Sequence, residues 1–256
     1  MDIFHVTTTD TQDDTASGRT TQPLGTLFGL GVGPGDPELL TLKAARILGS
    51  GAAVFAASSS KNDYSIAAAI VAPHLPPGTT VTRLAFPMTR DAAVLAAAWT
   101  ANAAAMAAVL ADGRDAAFIT LGDPLLYSTF GYVLPLLRER LPDLPVAIVP
   151  GITSFQAAAA KTGAILAESG ENLLIASGVD EDGRLRRALE SADNAVILKA
   201  YRNFPRLRAL LADMGLADGT TFVTKLGHEG EAVEYDLAKA PEKPHYLSLC
   251  LVKRDK

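Results

Sequence analysis

Residues 27–38 read Leu27-Phe28-Gly29-Leu30-Gly31-Val32-Gly33-Pro34-Gly35-Asp36-Pro37-Glu38, and the order of events along them decides the fold. The apolar run 27–30 has the length and composition of a buried strand. It ends in alternate glycines, turns at 34–37, and re-enters a helical pattern at Leu39, Leu40, Ala44, Ile47 and Leu48. A strand that stops in glycines before a helix is how α/β proteins open a ligand site. Missing Cβ atoms let the backbone approach a bound molecule, and the helix start presents unpaired N–H groups. A dinucleotide loop would need G-x-G-x-x-G and an acid after the second strand. Here Gly31-x-Gly33-x-Gly35 is misspaced and holds Pro34, and Val54-Phe55-Ala56-Ala57-Ser58 offers no acid. A plain strand-to-helix turn is the other reading, and the segments that follow weigh against it.

Working outward, strands are expected at 52–57, 79–84 and from 116, with helices at 63–75, 91–111 and 129–141. Asp91 is placed to cap the long alanine-rich helix, and Pro76-Pro77-Gly78 and Asp112-Gly113 act as breakers. Strands alternating with helices imply a parallel sheet with crossover connections. The strand from Ala116 runs into Leu121-Gly122-Asp123-Pro124, and a further strand at 146–149 runs into Pro150-Gly151-Ile152-Thr153-Ser154. All three small-residue loops then share the carboxyl edge of one sheet, where open α/β sheets bind ligands. Of Thr153 and Ser154, one hydroxyl can cap the helix at 155–161 while the other faces a ligand.

Beyond 170 the pattern changes. Strands are expected at 172–177, 195–199, 220–225, 231–237 and 245–253, with helices at 183–191 and 204–214. The last two strands alternate as antiparallel ones do. The fold class is therefore α/β in two units. A disordered leader (1–23) precedes an N-terminal, mostly parallel α/β domain (24–149) and a C-terminal mixed α/β domain (150–256), with the ligand in the cleft between domains.

Composition narrows the function. The 256 residues are 48% hydrophobic and 20% charged, enough to bury a core, and the net charge of −5 disfavours a nucleic-acid partner. One cysteine excludes an internal disulfide framework, and four scattered histidines give no metal-site spacing. Cys250, inside Leu247-Ser248-Leu249-Cys250-Leu251, reads as a core thiol. No apolar run is expected to reach the roughly 18 residues of a membrane span. Residues 1–23 lack the apolar middle of a secretory signal, which points to the cytoplasm.

Taken together, Gly31-Val32-Gly33-Pro34-Gly35-Asp36-Pro37, Leu121-Gly122-Asp123-Pro124, Pro150-Gly151-Ile152-Thr153-Ser154 and Val196-Ile197-Leu198-Lys199 resemble the tetrapyrrole (corrin and porphyrin) methyltransferase family in order and spacing. The resemblance covers nearly all of 24–253. It implies a two-domain α/β fold, a homodimer, and S-adenosylmethionine bound between the domains. Carried over by position, the cofactor contacts are Pro34, Leu121, Gly122, Asp123, Leu126, Thr153, Ser154 and Lys199, with Gly227 approaching the adenosine. At Lys199 many members of the family have an apolar residue.

Within the family, Phe86-Pro87-Met88-Thr89, Trp99, Phe118-Ile119-Thr120-Leu121-Gly122-Asp123, Leu126-Tyr127-Ser128-Thr129 and Lys199-Ala200-Tyr201-Arg202-Asn203 resemble the enzymes that methylate C-20 of precorrin-2 or cobalt-factor II. Ser128-Thr129 and Thr153-Ser154-Phe155 look closer to the cobalt-containing branch. The resemblance implies a tetrapyrrole substrate whose enamine-like meso carbon is itself the nucleophile, so positioning rather than a strong base carries the reaction. Tyr127 and Asp123 are the candidates for positioning or proton relay. Arg90 and Arg202, with Lys199, are the candidates for the substrate's carboxylates. The rival readings are a same-fold methyltransferase acting on uroporphyrinogen III, another corrin carbon, a diphthamide intermediate or ribosomal RNA, and a non-catalytic tetrapyrrole- or nucleoside-binding protein.

Overall fold

The computed structural model describes residues 23–59, 65–178 and 182–254. The expected leader therefore lies outside the described residues except for Pro23, as does the expected helix start at 63.

The first sheet is parallel throughout, in the order β3-β2-β4-β1-β5. Its strands are β1 (Leu27–Gly31), β2 (Ala53–Ser59), β3 (Val81–Phe86), β4 (Ala116–Thr120) and β5 (Val146–Val149). All of β4 is buried, in keeping with its apolar run from Ala116 to Ile119. Helices α1 (Leu42–Leu48) and α2 (Ile66–Val71) cover one face through Ile47, Leu48, Ile70 and Val71, packed on Leu30, Val32 and Ile119. Helices α3 (Ala92–Ala111) and α4 (Phe130–Arg140) cover the other through Met106, Leu110, Phe130 and Leu137, packed on Leu27, Phe55 and Phe118. Gly29 is a glycine for a packing reason: a Cβ there would lie 2.7 Å from Cζ of Phe130.

The second sheet is mixed, in the order β6-β7-β10-β8-β9. Strands β6 (Leu173–Ser177) and β7 (Asn194–Leu198) are parallel, and β10 (Ser248–Lys253) runs antiparallel to both β7 and β8 (Thr220–Thr224). The short β9 (Ala232–Glu234) pairs antiparallel with β8. Helices α6 (Asp182–Glu190) and α7 (Phe204–Asp213) cover one face, enclosing Phe204, Leu211, Phe222 and Cys250. Helix α5 (Ser154–Thr162) lays Phe155 and Ala158 on the opposite face against Val196, Val223, Leu249 and Leu251.

Several boundaries move for local reasons. The third strand begins two residues late because Gly78 (φ +79°) and a Thr79 N–H bond to Pro76 O at 3.1 Å prolong the turn, and it runs on to Phe86 opposite Ser59. The strand expected over 231–237 shrinks to three residues, since Asp236 Oδ1 accepts the Ala238 N–H at 3.0 Å and starts a turn. The strand expected from 245 begins at Ser248, where pairing with Thr224 starts.

Helix α3 corrects the expectation about apolar runs: by length and composition it is apolar enough to cross a membrane. In this fold it packs one side against the first sheet and leaves the rest largely exposed. Its inner side buries Asn102, Ala103, Met106 and Leu110, and Asn102 Nδ2 donates to Ala85 O at 2.8 Å. Asp91 caps it, accepting the N–H groups of Ala93 and Val94 at 2.9 and 3.2 Å.

Candidate functional site

Because β4, β1 and β5 are neighbours, their three glycine loops meet at one edge. Gly122 donates its N–H to Gly33 O at 2.8 Å, and Gly33 returns one to Gly122 O at 3.4 Å. Both glycines have positive φ, +69° and +81°. A Cβ on Gly151 would lie 2.1 Å from Gly122 O, and one on Gly31 would lie 2.5 Å from the Gly151 N atom. Three backbones therefore touch where no side chain fits, which is the physical reason for glycine at 31 and 151.

Asp123 fastens this platform. Its Oδ2 accepts the Gly151 N–H at 3.0 Å and its Oδ1 the Leu125 N–H at 2.8 Å. Both carboxylate oxygens are thus engaged by backbone. At the start of α5, Thr153 forms a capping box with Gln156: Thr153 Oγ1 accepts the Gln156 N–H at 3.3 Å and Gln156 Oε1 accepts the Thr153 N–H at 3.1 Å. Ser154, the first residue of the helix, takes no part in the cap. Of the two hydroxyls, Thr153 takes the capping role.

Leu121 packs with the α1/α2 face of the first sheet. Leu126 instead crosses to the second unit and joins Phe155, Val196 and Val223. Tyr127 follows with φ +50° and its side chain half exposed, and Lys199, after β7, has φ +56°. Non-glycine residues rarely hold such backbone, and where they do the surroundings impose it. The Lys199 ammonium lies 5.3 Å from the centroid of the Tyr127 ring, a cation–π contact joining the two units.

On the far side of the Pro34 loop, the turn at Gly227 crosses the backbone of Gly35 and Asp36. A Cβ on Gly35 would lie 2.4 Å from Leu226 O, and one on Gly227 (φ +72°) would lie 2.6 Å from the Asp36 N atom. Pro34 is buried in this crossing. Arg90 and Arg202 are exposed. Arg202 places its guanidinium 6.0 Å from the Tyr201 ring centroid, close to Lys199 in sequence. Arg90 follows β3, three strands from β1, or about 14 Å along the sheet edge. The structure thus brings Pro34, Gly122, Asp123, Thr153 and Gly227 into one edge-on cluster, joins Tyr127 to Lys199, and leaves Arg90 outside it, three strands from β1.

Met88 and Leu125 are exposed at the same edge, and Trp99 stacks on half-exposed Tyr132 at 4.5 Å with parallel rings. The sequence reading missed Lys161, Glu231 and His228, which tie the Gly227 turn to both units. Glu231 alternates with the apolar residues of a strand and signals only a solvated face, so nothing in the sequence marked it.

The chemistry of this edge suits a nucleoside sulfonium. The loops meet there through the backbone carbonyls and N–H groups of Gly33, Gly122 and Gly151. Thr120 Oγ1, buried at the end of β4, has no partner among the described residues and leaves a hydroxyl there for a ligand or water to satisfy. The one thiol cannot compete for an electrophilic methyl, since Cys250 is fully buried under α7 and burial pushes its pKa up to about 12.

A family model described as Tetrapyrrole (Corrin/Porphyrin) Methylases matches residues 26–241. Cobalt-precorrin-2 C(20)-methyltransferase of Salmonella typhimurium is 38% identical over 207 residues, covering 81% of this chain and 86% of that protein. Precorrin-2 C(20)-methyltransferase of a Sinorhizobium species is 33% identical over 237 residues, covering 90% and 95%. In structure, uroporphyrin-III C-methyltransferase from Thermus thermophilus in complex with S-adenosylhomocysteine superposes with a TM-score of 0.63 at 24% identity, covering 90% of this chain and 97% of that one. With the family model spanning the whole first sheet, the second sheet except β10, and all three glycine loops, the chain belongs to the tetrapyrrole methylase family.

Proposed function

We propose that this chain transfers a methyl group from S-adenosylmethionine to C-20 of precorrin-2 or its cobalt form, a step of cobalamin biosynthesis. The observation that carries the reading is the meeting of Gly31, Gly122 and Gly151 at one sheet edge, fastened by Asp123. The relatives named for C-20 methylation support the choice of carbon.

When bound, the cofactor supplies an electrophilic methyl: the C-20 electron pair forms the new bond, and the pair of the breaking carbon–sulfur bond stays on sulfur. The residues of this chain hold the partners in line. Pro34, Leu121, Gly122, Leu126, Ser154, Lys199 and Gly227 are the proposed cofactor contacts, with Thr153 acting through its cap. Asp123, with both oxygens on backbone donors, keeps the loops in place. Tyr127, half exposed beside the Lys199 ammonium, is the group proposed to position C-20 and relay its proton. Met88, Leu125 and the Tyr127 ring give a flat macrocycle apolar surface, while Arg90, Lys199 and Arg202 meet its carboxylates.

The domain division near 149–150 fits this reading, because α5 packs on the second sheet directly after the third loop. We propose a homodimer in the cytoplasm. The exposed side of α3 supports the dimer, since Ala97, Ala101, Ala104 and Ala108 present an uncharged surface with nothing to repel a second copy. Light scattering tests the dimer: a monomeric parent chain contradicts it. The catalytic reading is tested by following S-adenosylhomocysteine in the presence and absence of tetrapyrrole. Formation only with tetrapyrrole is expected, and binding of both without turnover would make the chain a carrier.

A further inference from the structure

The Gly227 turn is the centre of a polar bracket that reaches both units. His228 Nε2 lies 3.1 Å from Pro34 O. A carbonyl oxygen only accepts, so Nε2 carries the proton and donates. Gly227 gives its N–H to Glu231 Oε2 at 2.7 Å, and Glu231 Oε1 pairs with Lys161 Nζ on α5, also at 2.7 Å. The turn closes on itself through His228 N–H to Lys225 O at 2.8 Å and Glu231 N–H to His228 O at 3.0 Å. The Lys161 ammonium, and then the Gly227 N–H, hold the Glu231 carboxyl below the usual carboxylate range. The bracket therefore runs from Pro34 through His228, Gly227 and Glu231 to Lys161, and so to the helix that begins at Thr153 and Ser154.

We propose that His228 and Glu231 are positioning residues that fix the spacing between the Pro34 loop and α5, and with it the fit of the nucleoside cofactor. The inference rests on the cofactor reading above. Three features support it. The glycine crossing at 35 and 227 leaves no slack between the loops, since neither position accepts a Cβ. Both polar ends of the bracket land on segments assigned to the cofactor. Glu231 is the more enclosed partner of its ion pair, its side chain 23% exposed against 56% for Lys161, so the carboxylate is held by the fold while the lysine comes to it. A residue that shapes the pocket without touching the reacting atoms acts on ground state and transition state alike, so its loss raises KM and leaves kcat in place.

The test compares full-length His228→Phe, which keeps a ring without the donor, with His228→Gln, whose amide N–H has about the reach of Nε2. Each is checked by thermal unfolding, titrated with S-adenosylhomocysteine by calorimetry, and assayed for kcat and KM. His228→Phe is expected to weaken S-adenosylhomocysteine binding about five- to tenfold and raise KM for S-adenosylmethionine by the same factor, with kcat and the tetrapyrrole KM held. His228→Gln is expected to restore most of the affinity. Unchanged affinity in His228→Phe overturns the bracket and leaves the cofactor reading intact; absence of S-adenosylhomocysteine binding by the parent overturns both. Should the Phe ring unsettle the fold, Glu231→Gln reads the same bracket from its other end. A loss of affinity is expected there, and parental affinity overturns the proposal.

Discussion

The carboxylate of Asp123 accepts the N–H of Gly151, 28 residues further along the chain, at 3.0 Å. One side chain thereby locks the loop after β4 to the loop after β5, with the loop after β1 between them. Asp123→Ala removes two hydrogen bonds to a charged acceptor and should cost about 2–3 kcal/mol in denaturant unfolding. Asp123→Asn keeps one acceptor oxygen and should cost about half of that. Both should weaken S-adenosylhomocysteine binding in calorimetry, in the same order. An Asp123→Asn enzyme with parental stability and affinity would show that the lock is unimportant.

Gly151 and Gly122 separate space from backbone conformation. At Gly151 an added Cβ meets Gly122 O at 2.1 Å, and at Gly122 the nearest atom is 4.0 Å away. Gly151→Ala must push the loops apart and should cost about 3 kcal/mol or more, with loss of cofactor binding. Gly122→Ala pays only for a positive φ, about 1 kcal/mol. Thermal unfolding of the pair decides it, and equal losses would contradict the three-loop contact.

Tyr127→Phe leaves the ring under the Lys199 ammonium but removes the hydroxyl. If the hydroxyl relays the C-20 proton, kcat should fall about 10²-fold with little change in the tetrapyrrole KM. Steady-state kinetics check this, and unchanged turnover would leave Tyr127 as a packing residue.

His245 gives a pH signature. Burial, and then the charges of Lys225 and His228, lower its pKa, while its Nδ1 accepts the Leu247 N–H at 3.2 Å. The folded state therefore prefers neutral imidazole. As pH falls below the ordinary value of 6.5 the unfolded chain takes up the proton first, so this contribution, present above 6.5, is lost on acidification. The unfolding midpoint should drop as pH is lowered from 7 to 5. His245→Asn, which keeps an acceptor near the Nδ1 position, should flatten that drop, and an unaltered slope would assign the acid sensitivity elsewhere.

The architecture was legible because its signals are local. Apolar strand runs, the Asp91 cap and the breakers at Gly78 and Gly113 placed most elements within two residues, the second helix and the last two strands excepted. The glycine loops were legible as meeting at one sheet edge, and the close backbone contact at 31 and 151 gives the reason for those glycines. Less legible was anything set by residues far apart. From sequence Asp123 is a candidate cofactor contact and a candidate for positioning or proton relay, and its hydrogen bond to Gly151 is visible only once β4, β1 and β5 lie side by side. His228 meets Pro34 across 194 positions, a contact no periodicity encodes. Helix α3 misled because its alanines are apolar enough for a bilayer and small enough for a protein surface.

The most direct measurement is an anaerobic turnover with methyl-labelled S-adenosylmethionine, offering precorrin-2 and cobalt-factor II separately and reading products by mass and carbon NMR. The account predicts a single labelled methyl at C-20, with the preferred substrate naming the branch of the pathway. A methyl at another ring carbon, or none on either substrate despite tight cofactor binding, would contradict it.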